Sequence, residues 1–147
     1  MTRQRENEVD SALYFLQIFL EMRTGTALEG LDAILHKLSK ENDFETILQI
    51  FEEGIKMFPN SHLVYYNAAK ACECWSDKLA GDYFESKPEH SMHPLEWMCG
   101  EGSPYPKFKE LRSKAAGYLE KVIELDDNLL SETRNAIEEK MALFRWA

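Results

Sequence analysis

Residues 42–59 (Asn-Asp-Phe-Glu-Thr-Ile-Leu-Gln-Ile-Phe-Glu-Glu-Gly-Ile-Lys-Met-Phe-Pro) share a packing pattern with Ala115–Asp127, and that repetition constrains the fold more than any other property of the chain. Each stretch reads as a helix. Its packing positions hold a small or aliphatic residue, a large apolar one and a second small or aliphatic one, followed by an acidic or proline turn. These are Ile47, Phe51, Gly54 and Pro59 in the first copy, and Ala115, Leu119, Val122 and Asp127 in the second. Apolar residues three and four apart line one face of a helix, so each copy must press that face against a neighbour. A chain that repeats such a unit is built from packed helices rather than sheet.

Composition agrees. The 147 residues are 44% hydrophobic, enough for one domain with a sizeable core, and seven Gly and five Pro are few for this length. No stretch alternates apolar and polar over strand length. The formal charge of −9 opposes contact with a phosphate backbone, so direct nucleic-acid binding is not expected; the run Lys107, Lys109, Arg112, Lys114 reads as a solvated helix face. Three Cys and a charged N-terminus without a signal-peptide core point to a reducing compartment, cytoplasmic or nuclear. The longest apolar run, Ala12 to Leu20, is broken by Gln17 and is far short of the ~20 residues of a membrane helix.

Along the chain, residues 8–22 form a helix apolar on several sides: Val9, Leu13, Leu16 and Leu20 on one stripe, and Phe15, Ile18, Phe19 and Met22 spilling onto the next. That second set either packs under the following helices or forms an alternative partner face, including one for self-association. Leu28, Leu31, Ile34, Leu35 and Leu38 mark a helix over 27–38, and Asn42 or Asp43 caps the next, 44–58. After the turn at Pro59-Asn60-Ser61, the segment 63–75 is helical, with Tyr65, Ala68, Ala69 and Cys72 as packing residues. Ala80 and Phe84 suit a short helix that Pro88 ends. Pro88, Pro94, Gly100, Gly102, Pro104 and Pro106 then predict a long irregular loop near 76–106. Helix returns over 107–125, and a terminal helix over 130–145 carries Leu130, Ile137, Met141 and Phe144 on one side. The count is about seven helices.

The A-x3-F...P-like pattern, together with small residues at Ala68 and Ala69, resembles the tetratricopeptide-repeat family of helical hairpins, whose unit is roughly 34 residues. Pro59 and Asp127 are 127 − 59 = 68 residues apart, twice that unit. The resemblance implies an all-α stack of antiparallel hairpins in a single domain: an apolar N-terminal helix at 8–22, the clearest repeat at 27–59, a degenerate repeat region at 61–127 and a capping helix at 129–146. Three repeats with a degenerate middle and two repeats with an inserted loop fit equally well.

It also implies a non-catalytic adaptor or scaffold subunit that holds a partner peptide or helix in a groove. Projected onto this chain, the groove residues are Asp32, His36, Leu63, Tyr66, Asn67 and Lys70, with Cys74 beyond them. The family branch that clamps acidic chaperone tails places a Lys and an Asn on its first groove helix and an Asn on the next. Asn67 matches the last of these, but Asp32 and His36 occupy the first two, and an Asp facing a carboxylate is repulsive. A mixed groove follows instead, with Asp32 for a basic side chain, Asn67 for ligand backbone and Tyr66 as an aromatic anchor. Tyr83, Phe84, Trp97 and Tyr105 give the loop the means to fold into that groove and plug it.

Two further readings stand beside this one. Cys74, His90, His93 and Cys99 have the residue types of a zinc site, with His90-x-x-His93 as one half, although the gaps are non-standard; the favoured expectation is no cofactor. A related half-repeat family serves in RNA processing, where an acidic chain would act as a scaffold. No nucleophile motif is present, and paired acids such as Glu52-Glu53 and Glu138-Glu139 lie on solvent faces, so catalysis is not expected.

Overall fold

The computed structural model describes residues 2–86 and 94–146, and every regular element among them is a helix. The order is α1 (Arg3–Met22), α2 (Gly25–Lys40), α3 (Phe44–Met57), α4 (His62–Glu85), α5 (Pro94–Cys99), α6 (Tyr105–Leu125) and α7 (Ser131–Arg145). The architecture is all-α, and it is compatible with the paired-helix arrangement the repeats suggest. Contacts group into two compact units, residues 1–64 and 65–147.

In the first unit, α1 packs on both α2 and α3, which form a tight hairpin. Thr2 caps α1 by accepting from the Arg5 N–H at 3.2 Å, and Arg23 stops it in the left-handed region at φ 53°, its N–H reaching the Phe19 carbonyl at 2.7 Å. Asn42, at φ 58°, turns the chain out of α2, and the Asp43 N–H closes back on the Leu38 carbonyl at 2.9 Å. Asp43 then caps α3, accepting from the Thr46 N–H at 3.2 Å and the Thr46 hydroxyl at 2.7 Å. Pro59 follows α3 and prevents its continuation. The core is made by Val9, Ala12 and Leu16 of α1, Leu31 and Leu38 of α2, and Ile47, Ile50 and Phe51 of α3.

Two glycines set the closeness of this packing. A Cβ on Gly54 would lie 2.8 Å from Leu16 Cδ2 and 3.2 Å from Val64 Cγ1, and one on Gly30 would meet the Phe15 ring at 2.8–2.9 Å. The repeat pattern's small position at Gly54 is thus filled by a neighbouring leucine.

In the second unit, the helices run in alternation. Tyr65 meets Tyr118 with ring centroids 6.2 Å apart, Lys107 lies over the Trp75 ring at 4.7 Å, and Arg112 pairs with Asp77. Early α4 thus faces late α6 and later α4 faces early α6, which makes the two antiparallel. The turn at 126–130 sends α7 back along α6. Tyr65, Ala68, Ala69, Cys72, Ala115, Leu119 and Val122, the packing residues read from the sequence, are all buried. The antiparallel α4–α6 pairing is compatible with the paired-helix arrangement suggested by the sequence.

Three sequence expectations need correction. The helix begun at 63 does not stop at Trp75, and Ala80 and Phe84 do not form a helix of their own: α4 is one helix of 24 residues. A lone Gly81 is too weak to break it, and Lys78 and Asp82 bridge it at i, i+4 with 3.0 Å. The irregular segment is accordingly shorter than 76–106, and it contains α5, a helix the sequence did not suggest. Seven helices are observed among the described residues, as counted from the pattern, but the fifth is α5 rather than the segment at 80–84. Leu130 precedes α7 as its N-cap and is exposed, so it does not join Ile137, Met141 and Phe144 in the core.

Candidate functional site

The apolar stripes of α4 and α7 do not close completely on α6, and the gap is a cleft of about 440 Å³ within the second unit. One wall is α4, with Tyr66, Ala69, Lys70, Glu73 and Cys74; the other is α7, with Thr133, Ala136, Ile137, Glu139, Lys140 and Leu143; Leu119 of α6 lies between them. The small residues Ala69 and Ala136 open the space, Leu119 and Ile137 are buried at its base, and Tyr66 (44% exposed) and Leu143 (71% exposed) stand at its edges. Large apolar side chains so exposed beside a concave surface are the usual mark of a binding site.

The charges around the cleft are unequal in their commitments. Lys140 reaches Glu73 with N···O 3.0 Å, so that pair is internally neutral. Cys74, also in the lining, has its thiol pushed above the ordinary value, chiefly by desolvation and then by the Glu73 and Asp77 carboxylates, with Lys70 and Lys140 pulling the other way. At neutral pH it is a protonated thiol and a weak nucleophile.

The sequence-derived groove set divides between the units. Asp32 and His36 are exposed on α2, and Leu63 lines a separate cleft of about 520 Å³ formed by the end of α1 and residues 57–63; all three belong to the first unit. Tyr66 and Lys70 come together in the α4–α7 cleft, while Asn67 is half-buried and outside its lining. On the alternative face of α1, Phe15, Ile18 and Phe19 are half-buried, Phe15 lying against Gly30 and Phe19 beneath the Arg23 guanidinium at 5.5 Å, and Met22 is 68% exposed.

The α7 wall escaped the sequence reading. Ile137, Met141 and Phe144 read as the buried side of a terminal cap, but Ala136, Lys140 and Leu143 form a second stripe beside them, at the same helical spacing. The available signal was Leu143 itself, a large apolar residue off the Ile137–Met141–Phe144 stripe.

The aromatic residues of the insertion do not plug the cleft. Trp97 of α5 sits among Tyr83 (5.3 Å), Phe84 (5.0 Å), Tyr105 (5.6 Å) and Phe108 (5.3 Å), at the far end of α4 from Tyr66. The Tyr83 hydroxyl donates to the Glu96 carbonyl at 3.4 Å, and the Ser103 hydroxyl donates to the Trp97 carbonyl. The basic run is partly spent on local contacts: Lys107 pairs with Glu110 at 3.6 Å, and the Arg112 guanidinium is flanked by Phe108 and Phe144, each at 4.9 Å. Of the zinc candidates, Cys74 lines the cleft, Cys99 ends α5 and both are exposed; His90 and His93 lie outside the described residues. Among the described residues no group of three His, Cys, Asp or Glu is placed to hold a metal ion, and no helix is long and apolar enough to cross a membrane.

These features define an all-α protein of paired helices with an apolar, charge-rimmed cleft. Comparison of the chain with protein-family models, curated proteins and solved structures finds no match.

Proposed function

We propose that this chain is a non-catalytic interaction module that holds a segment of a partner protein in the α4–α7 cleft, acting as an adaptor or scaffold subunit inside the cell, in the cytoplasm or nucleus. The observation that carries this reading is the pairing of exposed Tyr66 and Leu143 across a concave apolar floor. Burying such side chains is the main favourable contribution available to a small interface, and Tyr is a frequent anchor. A scaffold role in a larger assembly, RNA-processing complexes included, needs nothing further from this surface. The net charge of −9 favours protein over nucleic acid as the direct contact.

The test is capture of interacting proteins from cells with three forms of the chain: wild type, Tyr66→Ala with Leu143→Glu, and Ile18→Glu with Met22→Glu, each first checked for helical content. Loss of a partner only with the cleft variant supports the reading. Loss only with the α1 variant moves the function to the N-terminal face, and capture unaffected by either variant sinks both sites.

A further inference from the structure

We infer that the occupant of the α4–α7 cleft is an amphipathic helix with an acidic flank toward α4 and a basic flank toward α7. The inference rests on the adaptor reading and adds the chemistry of the partner. The lining runs from Tyr66 to Cys74 on one side and from Thr133 to Leu143 on the other, roughly 12 and 15 Å at 1.5 Å per residue. Both walls are helix interiors whose backbone groups are already used within their own helices, so the cleft offers no row of amides or carbonyls to an extended strand. A helix brings its own backbone bonds satisfied and needs only side-chain contacts. Over this length it presents two to three turns, with apolar residues at i, i+3 or i+4, and i+7 meeting Tyr66, the Leu119–Ile137 floor and Leu143.

Charge sets the flanks. Glu73 and Lys140 neutralise one another at 3.0 Å, which leaves Lys70 on the α4 wall and Glu139 on the α7 wall as the rim charges without an ion pair among the described residues. Like charges brought against them are repelled, so a helix with one acidic and one basic flank fits, and fits in only one N-to-C direction.

The test uses three hydrocarbon-stapled peptides of about four turns with the same leucine stripe. One has an acidic and a basic flank, one has two acidic flanks and one has two basic flanks. Binding to the full chain is read by fluorescence anisotropy. The mixed peptide should bind best, by roughly two- to fivefold over either uniform peptide, the range of exposed ion pairs. Leu143→Glu should weaken it at least about tenfold, as loss of an anchor does. Lys70→Glu should shift the preference to the doubly basic peptide, and Lys70→Glu with Glu139→Lys should restore the mixed one. Equal binding of all three peptides to wild type overturns the charge assignment. No peptide binding, with partner capture still sensitive to Leu143→Glu, overturns the helical occupant and leaves the adaptor reading standing. Self-association of the wild type that Leu143→Glu abolishes, seen by sedimentation, overturns it in favour of a second copy of this chain.

Discussion

Glycine and arginine show at single positions how context decides the sign of a substitution. Gly54 and Gly117 both lie inside helices, where Ala is intrinsically better by about 1 kcal/mol. Around Gly117 there is nothing within 4 Å of an added Cβ, so Gly117→Ala should raise stability by about 0.5–1 kcal/mol in urea unfolding. At Gly54 the new methyl would meet Leu16 and the stiff, buried Val64, and overpacking of that kind costs about 1–3 kcal/mol, so Gly54→Ala should lower stability. Equal and positive effects at both sites would show that the close approach at Gly54 relaxes freely. Arg112 presents the opposite case, a charge held mainly for its shape. Its side chain is largely buried, its Nε is buried without a hydrogen-bond partner, and its stem and guanidinium fill the space between Phe108 and Phe144. Its partner Asp77 is mostly exposed, so the ion pair contributes little. Arg112→Met keeps the packing and removes the unsatisfied donor, and should stay within about 1 kcal/mol of wild type, whereas Arg112→Ala should lose about 2 kcal/mol. A large loss in both would show that charge, not packing, holds this position.

The individual helices were legible to the degree that periodicity alone supports them. α2, α3 and α6 carry apolar stripes over several turns, and their positions follow from the sequence to within a few residues. α5 was not legible for a physical reason. A helix of six residues cannot sustain itself in water, and what holds it is the docking of Trp97 onto rings that lie 13 or 14 residues earlier and 8 or 11 later in the chain. The Gly- and Pro-rich spacing around it conceals this, since no local rule registers a long-range aromatic contact. The corresponding prediction is that Trp97→Ala releases α5 while sparing its neighbours. In hydrogen exchange read by mass spectrometry, amides near the end of α5, up to Gly100, should lose their protection, those of α4 around Ala68–Cys72 and of α6 around Ala115–Leu119 should keep theirs, and overall stability should fall by about 2 kcal/mol, less than for a fully buried Trp. Unchanged protection near the end of α5 would mean that the hydrogen bonds from Tyr83 and Ser103 hold the segment without the ring.

At the scale of the whole chain, the all-α architecture was visible in the apolar periodicity, with which the spacing of 68 residues between Pro59 and Asp127 is compatible, but the recruitment of α7 into a cleft wall was not, because one sequence stripe can serve a core and an adjacent stripe a cleft. Equally invisible was the ionic tie that fastens the start of α1 to the α2–α3 turn. Arg5 meets Glu8 at 3.0 Å, Glu41 at 2.5 Å and Asp43 at 2.8 Å, and Lys37 meets Glu8 at 2.9 Å, joining residues up to 38 positions apart. This network has a signature in acid. Most of the chain's 26 carboxylates repel one another at a net charge of −9, so protonating them on the way down from neutral pH relieves strain in general. Glu8 acts the other way. Its hydrogen bond from Lys37 first, and then that from Arg5, hold its carboxyl below the ordinary glutamate value against an opposing desolvation, so the unfolded chain takes up this proton more readily than the folded one. The sign follows: the contribution is complete above the ordinary glutamate value, near 4.3, and is lost as pH falls through the lower folded value. Glu8→Gln should therefore be less stable than wild type at pH 7, by about 1 kcal/mol or less given the partial exposure of its partners, and the gap should narrow as pH falls below the ordinary glutamate value. Urea midpoints of the two proteins from pH 7 to pH 3 measure it. A gap that persists undiminished at pH 3 would assign the role of Glu8 to packing of its methylenes rather than to its charge.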